Sequence, residues 1–506
     1  MLTKIKVYTI YFSSLFLFFV IIILPLSLRS QLWVDEVLDA DPAYNLAFHN
    51  KMGLRVWEGM DRVEEIFFMR PPVGFIILSN LYKLFGFKRW VTLSVPFFSA
   101  IFSFCIVYLM AMVLTKDFSV SILSSLLFGF SPLGVWIAKS GRHDALALFF
   151  FTSSLFLFLI SEEKQGDLRK ILILFSGVIM SLSAQTYHLY AFLFFSFIFY
   201  FIFDLRYRYK DWFKEMFIFS AAFFLTLTIW ISFILQDIEA FRLQTSWHLS
   251  NDLGLHNFYK SNFLIQVMEM FFWLLVQNSP FTLIFFIIGN IFFVRRFPRY
   301  KKLFIGFILL PACFLFFFNL LRDYYIQITL PLGYIGLGFF VIYLFRLLKN
   351  QLIWNNKRYA ILILFSLLFF ILFHFTLGVV AKYVLTIKDW KARDLATYER
   401  GLISKIPAGS NVLGGPENWY ALYQNGSRLF LFKCLYHPSF NLNKIDYVVV
   451  PTTYYELKRK DSPLARFIKD RCVEIGRIGV KAYSYYVSDS FLIDSGYSSI
   501  IFKVRK

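Results

Sequence analysis

Two acidic residues, Asp35 and Glu36, stand side by side directly after the first long apolar stretch of the chain. Carboxylates at a membrane surface lose hydration unless they meet water, cations or a metal, so the pair predicts a polar cavity there. A carboxylate in such a cavity can accept the proton of an attacking hydroxyl group, which is general-base chemistry. A solvated loop acid or a helix N-terminal charge explains an isolated acidic pair equally well. Only the surrounding residues can therefore distinguish a reactive site from a solvated or helix-terminal charge.

A second charged segment, Gly141-Arg142-His143-Asp144, separates two apolar stretches. Asp144 starts the second of them, where a helix dipole favours an anion by about 0.3 to 1 kcal/mol, so capping alone accounts for it. The same segment also brings Arg142 to the membrane surface, and a guanidinium fork suits a pair of phosphate oxygens. The segment therefore predicts an anion-binding role beside the acidic pair, provided that both face the same side.

Further basic and aromatic side chains belong to the same predicted surface. They are Arg70 ahead of two prolines, His188 in a Thr-Tyr-His segment, and Arg322 and Tyr325 in an Arg-Asp-Tyr-Tyr segment. An anionic lipid head group needs such donors, and aromatic rings can hold the first prenyl units. Taken singly, Arg322 fits interfacial snorkelling and the tyrosines an aromatic belt. Only their convergence with the acids predicts a site.

The elements that must position these residues are membrane helices. The 506 residues are 58% hydrophobic and 17% charged, whereas soluble domains average about half and about a quarter. The stretches 7–28, 91–114 and 216–235 contain no Asp, Glu, Lys or Arg, and about 20 such residues cross the hydrocarbon core. The composition therefore predicts a polytopic α-helical membrane protein.

Length and hydropathy predict about eleven transmembrane helices. The net charge of +20 lies mostly in short loops between them, which is the positive-inside pattern and excludes a nucleic-acid partner as its cause. The predicted spans are 7–28, 91–114, 118–138, 144–160, 171–187, 188–203, 216–235, 279–294, 303–321, 324–345 and 359–381.

Loop charge also predicts the orientation. Two short apolar stretches, 72–86 and 263–276, are left outside the count as interfacial helices. The basic loops then face the cytoplasm together with the N-terminus, and counting only 72–86 as a span would turn every later basic cluster outward. The first loop, 29–90, and the turn at 141–144 consequently share the outer side, as does everything after about residue 382.

The composition changes to that of a soluble domain near the C-terminus. We expect a transmembrane module at 1–384 and a small extracytoplasmic α/β domain at 385–506, which serves as a cap or an acceptor-docking module. Cys434 and Cys472 share this domain and can pair in an oxidising compartment. The predicted elements are helices at 389–406 and 463–470, strands at 411–413 and 446–450, and closing strands within 482–503.

At these residues the sequence resembles the GT-C superfamily, in particular the branch of the protein O-mannosyltransferases and the lipid A aminoarabinose transferases. The matching pieces occur in order across most of residues 1–345. They are Asp35-Glu36, Arg70-Pro71-Pro72, Gly141-Arg142-His143-Asp144, Thr186-Tyr187-His188 and Arg322-Asp323-Tyr324-Tyr325.

The resemblance implies a membrane glycosyltransferase of the cell envelope. Such an enzyme transfers a sugar from a polyprenyl-phosphate donor to an extracytoplasmic lipid, glycan or protein acceptor by inverting attack. Asp35 would be the general base, with Glu36 and Asp144 shaping the acidic site. The residues implied to hold the donor phosphate are Arg142, Arg322, Tyr325, His188 and Arg70, the last standing where many relatives carry His or Lys.

The resemblance leaves the cofactor open, because some members use a divalent cation such as Mg²⁺ or Mn²⁺ and others do not. The predicted outward-facing arrangement fits the plasma (inner) membrane of a prokaryote. A transporter or flippase of a lipid-linked sugar is the alternative, although its ionisable residues would lie near span centres and its helices would be broken. A third alternative is an O-antigen-ligase-like enzyme with a diphosphate-linked glycan donor.

Overall fold

A computed structural model describes residues 2–203, 209–247, 280–317, 327–353, 357–437, 440–452, 462–480 and 497–505. Most of these residues form α-helices, and a small sheet follows near the C-terminus. The described helices are α1 (Leu2–Leu28), α2 (Val34–His49), α3 (Val73–Phe85), α4 (Arg89–Thr115), α5 (Phe118–Gly129), α6 (Pro132–Lys139), α7 (Asp144–Ser161), α8 (Gly166–Ala184), α9 (Leu193–Phe203), α10 (Tyr209–Ile234), α11 (Ile238–Trp247), α12 (Pro280–Arg296), α13 (Pro298–Phe304), α14 (Leu310–Phe317), α15 (Leu330–Ile353), α16 (Lys357–Phe375), α17 (Ala381–Lys388), α18 (Leu395–Ile403), α19 (Trp419–Gln424) and α20 (Pro463–Arg471).

Six helical runs in the described part of the chain are long and apolar enough to cross a membrane, or seven if α5 and α6 form one bent span. The chain is therefore a multi-pass membrane protein, while the predicted total of about eleven spans stays a prediction. The six runs are Thr9–Leu28, Arg89–Thr115, Asp144–Ser161, Phe213–Ile234, Leu330–Asn350 and Ile361–Lys388.

The stretch 118–138 was predicted to be a single span, and it consists of α5 and α6, which meet at an angle of 62°. Ser131 causes the break because its hydroxyl accepts a backbone N–H of the next turn and so caps α6. Pro132 fills the first position of α6, where its missing N–H costs no hydrogen bond. The bend directs the C-terminal end of α6 into the charged turn at 140–143.

Two buried side chains bind backbone carbonyls near this break. His374 Nε2 lies 2.8 Å from the carbonyl oxygen of Leu127, and Lys382 Nζ donates to the carbonyl oxygen of Pro132 at 2.7 Å. A bend in lipid leaves carbonyls without helical partners, and such side chains replace those partners. The helical run of α16 and α17 therefore stabilises the bend.

Of the two short apolar stretches, the first forms α3, which has 13 residues. A helix of that size is about 20 Å long and does not span a bilayer core of about 30 Å. It packs against α2 and α4 instead. The second stretch, 263–276, lies outside the described residues.

The first loop is folded. Helix α2 carries Asp35 and Glu36 in its first turn, where the helix dipole favours carboxylates. After it comes a 3₁₀-helix at Arg55–Trp57. The buried carboxylate of Asp41 caps this turn, because its Oδ2 accepts the backbone N–H groups of Arg55 and Val56 at 2.6 and 3.1 Å.

Among its described residues, the C-terminal part forms a mixed sheet of five strands in the order β2-β1-β3-β5-β4. Strand β1 pairs in parallel with β2 and β3, and β5 pairs antiparallel with β3 and β4. The strands are β1 (Asn411–Gly414), β2 (Arg428–Leu431), β3 (Tyr447–Pro451), β4 (Cys472–Gly479) and β5 (Ser498–Val504).

The predicted strands at 411–413 and 446–450 correspond to β1 and β3, and the predicted helix at 463–470 to α20. The predicted helix at 389–406 was too long, since turns occupy its first residues and α18 begins only at Leu395. Of the predicted closing region, 482–496 lies outside the described residues. Its last part forms β5.

The first loop and the sheet share one apolar core. Leu54 and Val56 of the loop are buried in the same cluster as Leu429 of β2. The thiol of Cys434 donates to the carbonyl oxygen of Val56 at 3.5 Å. Cys434 and Cys472 are both free thiols, so the considered disulfide is not formed. The C-terminal part is thus fixed to the loop that carries the acidic pair.

Candidate active site

Three segments from distant parts of the sequence converge in one polar cluster. They are the first turn of α2, the residue Arg70 ahead of α3, and the turn between α6 and α7. The backbone N–H of Val73 donates to the carbonyl of Gln185 at 3.0 Å, which ties the start of α3 to the end of α8. Gly74 lets the turn between α6 and α7 come close to α3, because a Cβ at this position would overlap the imidazole ring of His143.

Asp35 lies at the centre of the cluster. Its Oδ1 accepts from Arg70 Nη2 at 2.6 Å, and its Oδ2 accepts from Arg142 Nη1 and from Trp33 Nε1, the latter at 3.1 Å. Burial by itself raises the pKa of Asp35, but the charges of Arg142 and Arg70 outweigh it and hold this pKa at about 2. The side chain keeps 19% exposure, so a substrate can still reach it.

Arg142 joins the first loop to the start of α7. Its Nη2 lies 2.8 Å from Asp144 Oδ2 and its Nε donates to the same oxygen at 3.0 Å, while Nη1 binds Asp35. The guanidinium also lies 5.5 Å from the ring centroid of Trp136. Arg142 and Asp144 are both 2% exposed. The two acids that the sequence placed on separate turns therefore bind one guanidinium group.

Arg70 repeats this arrangement on the other side of Asp35. One of its terminal nitrogens binds Asp35 and the other binds Asp39, which is completely buried. Burial lowers the pKa of Arg70, but the carboxylates of Asp39 and Asp35 outweigh burial and raise this pKa. Arg70 is consequently a permanent cation in the cluster.

The result is an alternating series of acids and bases, Asp39, Arg70, Asp35, Arg142 and Asp144, which we call the carboxylate–guanidinium chain. Its three carboxylates and two guanidinium groups leave one excess negative charge when all are ionised. The terminal Asp144 Oδ1 is buried and has no hydrogen-bond partner among the described residues.

Glu36, the neighbour of Asp35, belongs to a different set of contacts. Its carboxylate is completely buried and accepts from Arg89 Nε at 2.9 Å and Nη2 at 3.2 Å. The hydroxyl of Tyr420, from the C-terminal part, donates to it at 3.4 Å. Arg89 also donates to the hydroxyl of Tyr497 at 3.1 Å. Glu36 thus links the acidic turn to the C-terminal part.

Of the remaining predicted donor-binding residues, His188 is described and lies outside the carboxylate–guanidinium chain. His188 begins a 3₁₀-helix and its ring stacks on Tyr187, with 5.1 Å between the centroids. Tyr187 in turn lies close enough to Arg70 to interact with its charge. Arg322 and Tyr325 lie outside the described residues.

Sequence reasoning missed Asp39 and Arg89. Asp39 follows Asp35 by four residues on α2, and this spacing puts both carboxylates on one helix face. That signal was available in the sequence. Arg89 has no such signal, because its partner Glu36 lies far away along the chain and the contact depends on how α2 packs.

The described residues contain no group of three or more His, Cys, Asp or Glu side chains arranged to hold a metal ion. Asp35, Asp39 and Glu36 each bind a guanidinium group instead, so their charge is already balanced by the protein. This donor set does not fit a divalent cation. The use of Mg²⁺ or Mn²⁺, which the resemblance left open, stays untested.

Comparison with known families and structures adds the wider context. The family model described as dolichyl-phosphate-mannose-protein mannosyltransferase matches residues 69–235. The matched segment begins just before Arg70 and contains Arg142 and Asp144, whereas Asp35 precedes it. No curated protein matches the sequence significantly.

Solved structures resemble the chain over nearly its whole length. ArnT from Cupriavidus metallidurans bound to undecaprenyl phosphate covers 99% of this chain and 98% of its own, with a TM-score of 0.59 and 12% identity. Its apo state has a TM-score of 0.56 at the same coverage and identity. The Archaeoglobus fulgidus oligosaccharyltransferase tethered with an acceptor peptide gives 0.52 at 12% identity, over 87% of this chain and 69% of its own.

Identities this low show a common fold rather than a common substrate. In this chain the fold is a bundle of membrane helices followed by a small C-terminal sheet. With the family model over residues 69–235, the similar fold agrees with the resemblance to the GT-C superfamily noted in the sequence.

Proposed function

We propose that the chain is a membrane glycosyltransferase that moves a sugar from a polyprenyl-phosphate donor to an extracytoplasmic lipid, glycan or protein acceptor. The carboxylate–guanidinium chain is the observation that carries this proposal. It combines a partly exposed carboxylate with two fixed cations. The GT-C fold supports it, since the similar ArnT structure holds undecaprenyl phosphate.

Arg70 and Arg142 bind the donor phosphate in this proposal. A guanidinium fork matches two phosphate oxygens, and fixed cations stabilise the charge that develops on phosphate as the glycosidic bond breaks. By the family resemblance, Arg322, Tyr325 and His188 add further contacts to the phosphate. Asp144 holds Arg142 in place through its Nε and Nη2.

Asp35 acts as the general base. In the ligand-free chain its two oxygens bind Arg70 and Arg142, and its pKa of about 2 makes it a weak base. A donor phosphate competes for the same two guanidinium groups. When the phosphate takes part of their charge, the pKa of Asp35 rises and one carboxylate oxygen becomes available to the acceptor. Donor binding therefore activates the base.

The transfer step then balances as follows. The acceptor O–H gives its proton to the carboxylate of Asp35, and the acceptor oxygen forms a bond to the anomeric carbon from the face opposite the phosphate. The bond between that carbon and the phosphate oxygen breaks, and its electron pair leaves with the polyprenyl phosphate. The configuration at the anomeric carbon is inverted. Arg70 and Arg142 stabilise the leaving phosphate.

Glu36 shapes the acidic site through its contacts with the C-terminal part. Through Arg89 and Tyr420 it connects the first turn of α2 to the C-terminal part. We propose that the module at 1–384 lies in a prokaryotic plasma membrane and that its N-terminus is on the cytoplasmic side. The domain at 385–506 is then extracytoplasmic, and it serves as a cap or an acceptor-docking module over the site.

One observation favours the alternative of a transporter or flippase, because the bent pair α5 and α6 resembles the broken helices of transporters. The charged residues weigh against it. None of the candidate spans contains Asp35, Arg70 or Arg142, and Asp144 is the first residue of one. Transport sites, in contrast, lie near the bilayer midplane.

The experiment uses the purified full chain in lipid vesicles with dolichyl- and undecaprenyl-phosphate mannose as donor probes and an extract of envelope lipids, glycans and proteins as acceptor. A transferase releases polyprenyl phosphate and glycosylates an acceptor in equal amounts. A transporter moves the intact lipid-linked sugar across the vesicle membrane without cleavage. That second outcome would overturn the proposed function.

A further inference from the structure

Asp39 is a buried acid that no sequence motif singled out. It lies one helical turn after Asp35 on α2, so both carboxylates point from the same face of the helix. Asp35 keeps 19% exposure, but the side chain of Asp39 is completely buried. A substrate cannot reach Asp39 directly, so any role in the reaction has to pass through its neighbours.

Both oxygens of Asp39 are engaged. Oδ1 binds Arg70 Nη1, and Oδ2 accepts the backbone N–H of His143 at 2.9 Å. The imidazole Nδ1 of His143 lies 3.5 Å from Oδ1. Burial lowers the pKa of His143 and outweighs the opposing effect of Asp39. The ring therefore stays neutral, and Arg70 is the cation that balances Asp39.

The contact divides the fork of Arg70 between two acids. Without Asp39, both terminal nitrogens of Arg70 would be free to turn toward Asp35 in a bidentate pair, which is the strongest geometry for an arginine and a carboxylate. Asp39 holds Nη1, and only Nη2 binds Asp35 at 2.6 Å. The backbone N–H of His143 fixes Asp39 itself, so the position of Arg70 is set by the rigid turn ahead of α7.

We propose that Asp39 is a positioning residue for the donor phosphate, which holds Arg70 so that its second nitrogen can leave Asp35 and bind the phosphate. This inference rests on the proposed function, because it assumes a phosphate ligand at Arg70. Asp39 is thus the counterpart of Asp144. Each of the two acids anchors one of the guanidinium groups that Asp35 shares with the donor.

The test measures equilibrium binding of radiolabelled undecaprenyl phosphate to the purified full chain in detergent, without any need for turnover. Asp39→Asn should weaken binding about tenfold, as expected when a charge-assisted hydrogen bond that orients the ligand's partner is lost. Arg70→Met should weaken it at least as much. In the double variant, Asp39→Asn should add less than about twofold to the effect of Arg70→Met.

Asp41→Asn is the matched control. Asp41 lies on the same helix and is equally buried, but it caps the 3₁₀-helix at Arg55–Trp57 and has no bond to Arg70. Its variant should bind undecaprenyl phosphate within about twofold of wild type. If Asp39→Asn alone fails to fold, the double variant remains usable, because it removes both partners of the buried pair rather than leaving one charge uncompensated.

The outcomes separate the inference from the proposed function. Wild-type affinity in Asp39→Asn overturns the inference alone. So does an equal loss in Asp41→Asn, or a further tenfold loss in the double variant, since Asp39 would then not act through Arg70. A wild-type chain that fails to bind undecaprenyl phosphate overturns the proposed function, and the inference falls with it.

Discussion

Asp35 and Asp144 bind opposite ends of one guanidinium group, that of Arg142. This contact joins the first loop to the turn ahead of α7 and brings together the two acids that the sequence could only assign to the same side of the membrane. Because Arg142 is nearly completely buried, the contact is a fixed part of the fold rather than a surface ion pair. The arrangement supports several measurable expectations.

The turn that carries Arg142 depends on Gly141. This residue has φ +67, and a Cβ there would lie 2.6 Å from Cγ of Glu36. Gly141→Ala should therefore lose about 1 to 2 kcal/mol of stability, because alanine is disfavoured in the left-handed backbone region. The added Cβ should also displace Glu36 or the turn. We expect the rate of sugar transfer to fall by at least about tenfold, because such displacements near a reacting centre are costly.

Gly166→Ala controls for the backbone effect. Gly166 has φ +61, but no atom lies within 4 Å of the position that its Cβ would take. Gly166→Ala should also lose about 1 to 2 kcal/mol of stability, because alanine is placed in the same left-handed backbone region. It should keep the wild-type rate of sugar transfer. Thermal unfolding and transfer assays on both variants check the prediction, and equal transfer by the two would contradict it.

The second expectation concerns the link between Glu36 and the C-terminal part. Glu36→Gln leaves the largely buried Arg89 without its counter-charge, and breaking such a pair typically costs about 3 to 5 kcal/mol. Tyr420→Phe keeps the ion pair and removes hydroxyl contacts, among them those to Glu36 and Thr92, for which we expect about 1 kcal/mol. Thermal unfolding combined with protease cleavage of the C-terminal part measures both. Equal stability losses would show that the ion pair has no special role.

The third expectation is a pH dependence of stability from Asp41. Burial outweighs the N–H groups of Val56 and Arg55 and raises the pKa of Asp41 from 3.8 to about 6. Between these two values the folded chain binds more protons at this site than the unfolded chain, so the free energy of unfolding falls as the pH rises. The shift corresponds to roughly 3 kcal/mol at most.

The measurement compares wild type with Asp41→Asn at about pH 4 and about pH 7, so that every other titrating group cancels in the difference. Wild type should lose more stability than the variant between these two conditions. A variant with the same pH dependence as wild type would exclude Asp41 as the source.

Much of the site follows from the sequence alone. Loop charge and span length put Asp35, Arg70, Arg142 and Asp144 on one side, and the structure joins all four in direct ion pairs. That prediction depended on two robust physical effects, the cost of charge in lipid and the retention of basic loops in the cytoplasm. Their exact pairing required the packing of α2 against the turn.

Other features could not be read from the sequence. The break at Ser131 was missed because a proline inside an apolar stretch is common in continuous membrane helices. In the C-terminal part, β1 and β3 were found because they are apolar runs, whereas β4 is a largely exposed strand of mixed polarity at the edge of the described sheet. Asp39 was overlooked because a buried acid on an otherwise apolar helix face has no local signature beyond its spacing from Asp35.

In the proposed mechanism Asp35 is the base of sugar transfer, and the rate of polyprenyl-phosphate release by Asp35→Asn measures that role. The amide keeps the shape of the carboxylate but cannot accept the acceptor's proton, so the rate should fall by about 10² to 10⁴ while the variant stays folded and Asp41→Asn keeps its activity. Release at the wild-type rate by a folded Asp35→Asn chain would contradict the account.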